Sequence, residues 1–201
     1  MISIEKKANF NYIDITDTWI KSANPNSHEI KEKHYYEYQG KKYYVDNRNI
    51  VLDYSKKERE VAEWLKETFG GEIYMNPRVN KPDGIQTADY IFRNEYWDLK
   101  EITGVGKNIL FHAVEDHKKQ AHNFIFDITK TKLKNEEIIE RLEKLYQLKS
   151  LYWLDKIIIK RNTMLIKVAK KKQPLRLTVG PLLLNIIYLF LKICQSISKI
   201  R

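Results

Sequence analysis

Residues 123–128, NFIFDI, form an almost unbroken apolar run. A strand with one wet face alternates apolar and polar side chains, so a run of this kind belongs to a strand buried on both faces. The segments before it supply the rest of a core. SKKEREVAEWLKETFGG offers Ser55 as N-cap, Glu58 three residues on, an apolar stripe of Val61, Ala62, Leu65 and Phe69, and a Gly70-Gly71 stop. EIYMNP reads as a short strand ended by Pro77. After the turn-rich RVNKPDGIQT, the segments ADYIF and YWDLKEI read as two strands joined at Arg93, Asn94 and Glu95. GVGKN is a loop, and ILFHAVEDHKKQAH predicts a helix running directly into the 123–128 strand. The core order is αβββαβ, which predicts an α/β fold with a mixed sheet. A charged helix in NEEIIERLEKLYQLKS and a hairpin in DKIIIKRNTMLIKVA extend it.

The flanks differ in character. Residues 1–54 are rich in Tyr, Asn and Lys, and HYYEYQGKKYYV predicts a hairpin turning at Gln39-Gly40. Its aromatic side chains are expected to pack on the domain, and the second reading is a stacking platform for bases. Residues 55–173 hold the main domain. The tail, 174–201, contains LTVGPLLLNIIYLFL behind a basic KKKQPLR. That run falls short of the about 20 apolar residues a spanning helix needs. It reads as a packed or partner-docking helix, as a segment in weak association with a membrane through residues 177–193, or as a poorly ordered tail.

Cys194 is the one cysteine, which excludes an intramolecular disulfide and a cysteine-based zinc site. The start, MISIEKKANFNY, lacks a basic stretch followed by an apolar run, so the expected location is cytoplasmic. With 36 Lys and Arg against 26 Asp and Glu, the net charge of +10 favours an anionic partner: nucleic acid first, an acidic membrane surface or acidic inhibitor second.

The chemistry concentrates in TADYIFRNEYWDLKEI, residues 87–102. Alternation puts Tyr96, Asp98 and Lys100 on one strand face and Trp97 and Leu99 on the other. A turn near Asn94 brings Asp89 beside the Asp98–Lys100 end of the next strand. Carboxylates at the edge of an apolar core need pairing or a cation, and two that repel each other suit a divalent ion with oxygen ligands. The alternative is a structural Asp98–Lys100 ion pair on a solvated strand face.

The order αβββαβ, with Asp89 on the second strand, DLK as a (D/E)-x-K element on the third and a polar-faced helix after it, resembles the PD-(D/E)XK nuclease superfamily. KEREVAEWL is similar to the first helix of several members, where an acidic residue completes the site; Glu58 matches best, with Glu60 and Glu63 as fallbacks. Gln120 stands where many members keep a glutamine or lysine. The first motif reads Ala88-Asp89 where Pro-Asp is usual. Within the superfamily the chain looks most similar to the C-terminal tRNase toxin domains of CdiA contact-dependent growth inhibition proteins and to related modules of mobile elements. The resemblance is carried by residues 87–102, the glycine-bearing loop with Lys107 and Asn108, and HKKQAHNFIFDI.

That resemblance implies a metal-dependent nuclease acting on tRNA and held by an immunity protein. It implies a divalent ion (Mg, Mn or Zn) on Asp89, Asp98 and Glu58, with Lys100 orienting or deprotonating water or neutralising the phosphate. Lys107, Asn108, Lys119 and Gln120 are then expected to hold the backbone of the substrate. The alternatives are a DNase of the same fold, a metal-independent RNase of the barnase, EndoU, colicin and RelE-like type using His, Lys and Arg, and a non-catalytic basic nucleic-acid-binding module. His112, His117 and His122 fall on one predicted helix with no pair at four-residue spacing, so they are expected to be surface or partly buried side chains.

Overall fold

The structure is a computed structural model and describes residues 11–172. The hydrophobic tail of 174–201 therefore lies outside the described residues. Among those described, no helix is long and apolar enough to cross a membrane.

In chain order the elements are β1 (Tyr12–Asp14), α1 (Thr16–Lys21), β2 (Asn24–Glu32), β3 (Tyr35–Tyr38), β4 (Lys41–Tyr44), β5 (Ile50–Val51), α2 (Lys56–Phe69), β6 (Gly70–Met75) and β7 (Arg78–Val79). They continue with β8 (Tyr90–Phe92), β9 (Glu95–Glu101), α3 (Ile109–His112), β10 (Asn123–Asp127), α4 (Asn135–Gln147), β11 (Lys156–Arg161) and β12 (Met164–Lys171). Eight strands form one mixed sheet in the order β1-β12-β11-β10-β9-β8-β6-β2. β10 lies parallel to both β9 and β11, and β8 runs antiparallel to β9 and β6.

The apolar run that opened the sequence reading is β10, buried at every position. Its alternate side chains serve two cores. Phe124 and Phe126 pack with Leu110, Ile138, Leu142 and Leu145 on the face covered by α3 and α4. Ile125 packs on the other face with Trp19, Val61, Leu65, Phe69 and Trp97, beneath α1 and α2. Each large apolar side chain sealed in this way contributes about 1.5–3 kcal/mol relative to exposure.

Helix α2 begins as its sequence dictates. The Ser55 hydroxyl accepts from Glu58 N and the Glu58 carboxylate accepts from Ser55 N, so each satisfies an amide that the helix start leaves free. Gly70, at φ 68°, ends the helix in a conformation that a side chain would strain, and the chain passes straight into β6. The aromatic hairpin forms as β3 and β4, with Gln39 and Gly40 at positive φ in the two-residue turn. The stretch before residue 55 also supplies both edges of the large sheet: β1 pairs with β12 and β2 with β6.

One expected element is corrected. The helix predicted over 109–122 stops at His112 and is followed by turns closed by Val114 O with His117 N and His117 O with Gln120 N. Leu110 and Val114 are buried, but the positions that would continue their stripe are His117 and Lys118. With no apolar face left to cover, the segment follows its side-chain hydrogen bonds instead. Lys119 and Gln120 therefore sit in a turn, not on a helix.

Candidate active site

The site is built by a short turn. Arg93 and Asn94, at φ 52° and 61°, close the β8–β9 hairpin with two residues, which fixes the register as Phe92–Glu95, Ile91–Tyr96 and Tyr90–Trp97. One step further out, Asp89 falls opposite Asp98. The ladder ends there because the Asp89 side chain intervenes: its Oδ2 accepts from Leu99 N at 2.7 Å. The Asp89 carbonyl in turn accepts from Asn76 N at 3.0 Å, which ties the bend to the end of β6. Asp89 thus lies one residue before β8 rather than within it.

Three carboxylates then meet in a row. Asp89 feels the charge of Asp98 on one side and of Glu58 on the other. Burial and the negative charge of Asp98 push the Asp89 carboxyl up to about 8. Asp98, only 1% exposed, is also raised by its burial, an effect that Lys100 partly offsets. Two carboxyls this close titrate as a unit, and near neutral pH the pair retains a proton.

Lys100 Nζ stands 2.7 Å from Asp98 Oδ2. The approach is a charge contact without hydrogen-bond alignment, so this buried oxygen has no aligned donor among the described residues. Glu58 is more fully committed. Its Oε2 accepts from Ser55 N at 2.7 Å and its Oε1 from the Arg78 guanidinium at 2.6 Å, while Tyr90 Oη donates to its backbone carbonyl at 2.8 Å. Arg78 is itself held through Nε by Asp53 O at 2.6 Å.

His117 completes the cluster and was not among the residues singled out for the site. Gln120 Nε2 donates to Thr87 O at 2.6 Å, which aims Gln120 Oε1 at His117 Nδ1, 2.7 Å away. Nδ1 must then carry the hydrogen. Lys100 Nζ lies 3.2 Å from the same nitrogen, so its ammonium is oriented by Asp98 rather than by the imidazole. The signal available in sequence was the three-residue spacing of His117 and Gln120, which a turn can close as readily as a helix. Arg78 and Asn76 were also missed. They approach only because β6 and β7 flank the Asp89 bend.

A cavity of about 250 Å³ opens on the Glu58–Asp89 side of the cluster, lined also by Asn76, Arg78 and Gln120, while Asp98, Lys100 and His117 do not line it. Lys119 lines a neighbouring groove that shares Gln120 with this cavity. Lys107 and Asn108, expected at the substrate backbone, are exposed on the loop before α3 and line neither space.

The donor set fits a hard divalent ion in part. Asp89 and Asp98 offer oxygen only, and Asp98 Oδ2 lacks an aligned donor. No group of three His, Cys, Asp or Glu converges in a ligand cluster among the described residues, so Glu58 does not complete a three-carboxylate set. Magnesium-like ions, which keep several waters and use one or two carboxylates, match this arrangement. A zinc site, which takes three or four protein ligands, asks for more than these two carboxylates offer.

Residues 86–165 match the family model of the contact-dependent growth inhibition CdiA C-terminal domain. The matched stretch contains Asp89, Asp98, Lys100, His117 and Gln120 and leaves out Glu58. No curated protein sequence matches the chain. Among solved structures, a CdiA-CT/CdiI toxin and immunity complex from Burkholderia pseudomallei aligns with 16% sequence identity and a TM-score of 0.43, over 58% of this chain and 83% of that one.

Proposed function

Taking the similarity of residues 86–165 to the CdiA C-terminal toxin domain as its premise, we propose that this chain is a toxin-type nuclease of PD-(D/E)XK character that hydrolyses RNA phosphodiester bonds with a divalent ion. One observation carries the reading: Asp89 and Asp98 face each other across the end of the β8–β9 hairpin with Lys100 beside them. A structural ion pair needs one carboxylate for one lysine. The second buried carboxylate accepts from Leu99 N but adds repulsion whenever both ionise, which a divalent ion would relieve.

Asp89 and Asp98 would hold the ion, Mg or Mn by the oxygen donor set. Bound there, it would supply Lewis-acid stabilisation of the phosphate oxygens and acidify water. Lys100 Nζ, held 2.7 Å from Asp98 Oδ2, would place a positive charge where the phosphate gains negative charge. Gln120, locked by Thr87 O, lines the cavity and holds His117 beside Lys100. Glu58, fastened by Ser55 and Arg78, keeps the start of α2 against Asp89. An immunity protein that covers the site belongs to the same proposal, because a cytoplasmic RNase would damage the cell that makes it.

RNA is favoured over duplex DNA because basic residues are dispersed over HKKQ, KTKLK, KIIIKR and KVAKKK, on separate elements, with tyrosines near the site. Such a distribution suits an irregular, partly single-stranded phosphate path better than a regular groove. The test mixes purified protein with equal masses of tRNA and linear duplex DNA, with Mg, Mn or EDTA. The expected result is loss of tRNA with Mg or Mn, none with EDTA, and none with Asp98→Asn. Selective loss of the duplex would make the chain a DNase of the same fold. Cleavage that persists in EDTA would move the chemistry to His117 and Lys100, whose contact favours a metal-independent RNase as the second reading.

A further inference from the structure

Beside the carboxylate cavity lies a groove of about 360 Å³ between the β3–β4 hairpin and the turn of residues 118–122. We infer that this groove receives one unpaired base of the cleaved strand, adjacent to the scissile phosphate. The inference rests on the nuclease reading and names the form of its substrate.

Position is the first argument. Tyr96 lies on the same face of β9 as Asp98, two residues away, or about 7 Å at strand spacing. Gln120 borders both spaces, so the groove and the cavity adjoin at its side chain. A strand with its phosphate at Asp98 therefore has a neighbouring nucleotide at the groove.

Chemistry is the second. Tyr36, Tyr38 and Tyr96 supply the hairpin side, with Tyr36 and Tyr96 in edge contact at 5.9 Å and 60°. The opposite wall carries Lys118 and Lys119, both exposed. Lys118 donates to Tyr152 Oη at 2.6 Å, and Lys119 has no ion-pair partner among the described residues. Of the acids that reach the groove, Glu95 is countered by the Lys156 ammonium at 2.6 Å, while Glu37 is exposed and stands opposite Lys42 in the hairpin register. Aromatic rings beside exposed lysines are what single-stranded nucleic acid selects, the rings for bases and the lysines for phosphates. A base stacked on the tyrosine side with its phosphate on the lysine side has left the base stack of any duplex, so the nucleotide beside the cut must be unpaired or flipped out. Stacking of this kind accepts any base, and the site would thus read strand form rather than sequence.

The experiment uses the full chain in two arms. In the first, the Asp98→Asn protein is titrated with single-stranded RNA carrying 2-aminopurine at successive positions. The expected result is fluorescence quenching at one position, binding weakened roughly five- to hundredfold by Tyr38→Leu, and no change with Tyr38→Phe. Leucine keeps the packing of residue 38 on the hairpin and phenylalanine keeps the ring, so the contrast isolates stacking from folding. In the second arm, wild-type protein cleaves RNA bearing a single abasic residue at each position around the cut, and one flanking position should lose activity by a similar factor. Cleavage with a flat abasic scan, or equal binding by the leucine and phenylalanine variants, overturns the groove assignment while the nuclease reading stands. Quenching that obeys the tyrosine contrast, in a protein that cuts no RNA with any divalent ion, supports the groove and removes the nuclease reading.

Discussion

Replacing Asp89 by asparagine should make the metal-free protein more stable, and by an amount that grows with pH. In the folded chain the Asp89 carboxyl is pushed from 3.8 to about 8 by burial and by Asp98. Between those values the folded state holds a proton that the unfolded state has released, so raising the pH favours unfolding until the folded carboxyl also ionises near 8. The contribution of Asp89 is therefore least unfavourable at acid pH and worsens through the neutral range. At about 1.36 kcal/mol per pH unit, moving from about pH 5 to about pH 7.5 removes at most about 3 kcal/mol, and about 2 kcal/mol once relaxation of the pair is allowed for.

An asparagine in this place would avoid the loss. Its side-chain oxygen still accepts from Leu99 N, and its amide donates where the repelling carboxylate stood. Denaturant unfolding of wild type and Asp89→Asn in EDTA, at about pH 5 and about pH 7.5, measures the effect as a widening gap between the two proteins. Titrating groups outside the Asp89–Asp98 pair are common to both and cancel in the difference, which therefore reports the pair. Magnesium should narrow the gap by stabilising wild type alone, since an ion that binds only the folded state adds stability by mass action. Parallel pH dependence in the two proteins would refute the reasoning, because it would mean that Asp89 ionises as freely in the fold as in the open chain.

Other consequences can be checked separately. Lys100→Ala should lower kcat by a hundredfold or more, on the order expected for a group that acts in the transition state, with KM changed by less than about threefold; a change confined to KM would make Lys100 a phosphate contact only. Ser55→Ala removes the acceptor for Glu58 N and should lower stability by about 1 kcal/mol in chemical denaturation, with unchanged stability refuting the cap. Gln120→Ala frees His117 Nδ1 from its acceptor, so the imidazole tautomer seen by NMR should become mixed, whereas wild type should show hydrogen at Nδ1. Ending the chain at Gln173 should release any membrane-bound fraction and leave cleavage intact; aggregation of the shortened chain would instead assign the hydrophobic tail to the core.

What the sequence disclosed and what it withheld separate along the range of the interactions involved. The cap at Ser55, the turn at Gln39-Gly40 and the turn at Arg93-Asn94 are each settled within a few neighbouring residues; the first two were legible as they stand, and the third was read one residue too long, since Glu95 already pairs with Phe92. The juxtaposition of Asp89 and Asp98 was legible for the same reason, because a tight turn with a fixed register carries local information outwards along two strands. By contrast, the pairing of Tyr12 with Lys171 and of Glu29 with Glu72 joins distant segments whose alternation names no partner. Hence the sheet edges were not foreseen. The segment after Leu110 failed in a third way. Its first turn has helical spacing, and spacing alone predicts continuation. The contacts that end the helix, Gln120 to Thr87 O and to His117, exist only once the Asp89 bend is in place. The same dependence accounts for His117: its role follows from a turn that the carboxylate site itself organises. A substitution that collapses the bend, such as Asn76→Leu, which removes the Nδ2 donor to Ala88 O, should therefore disturb the His117 ring environment although the two residues share no hydrogen bond. NMR of the His117 side chain would register that disturbance, and an unchanged ring signal in a folded Asn76→Leu protein would show that the 113–120 turns are shaped by their own sequence alone.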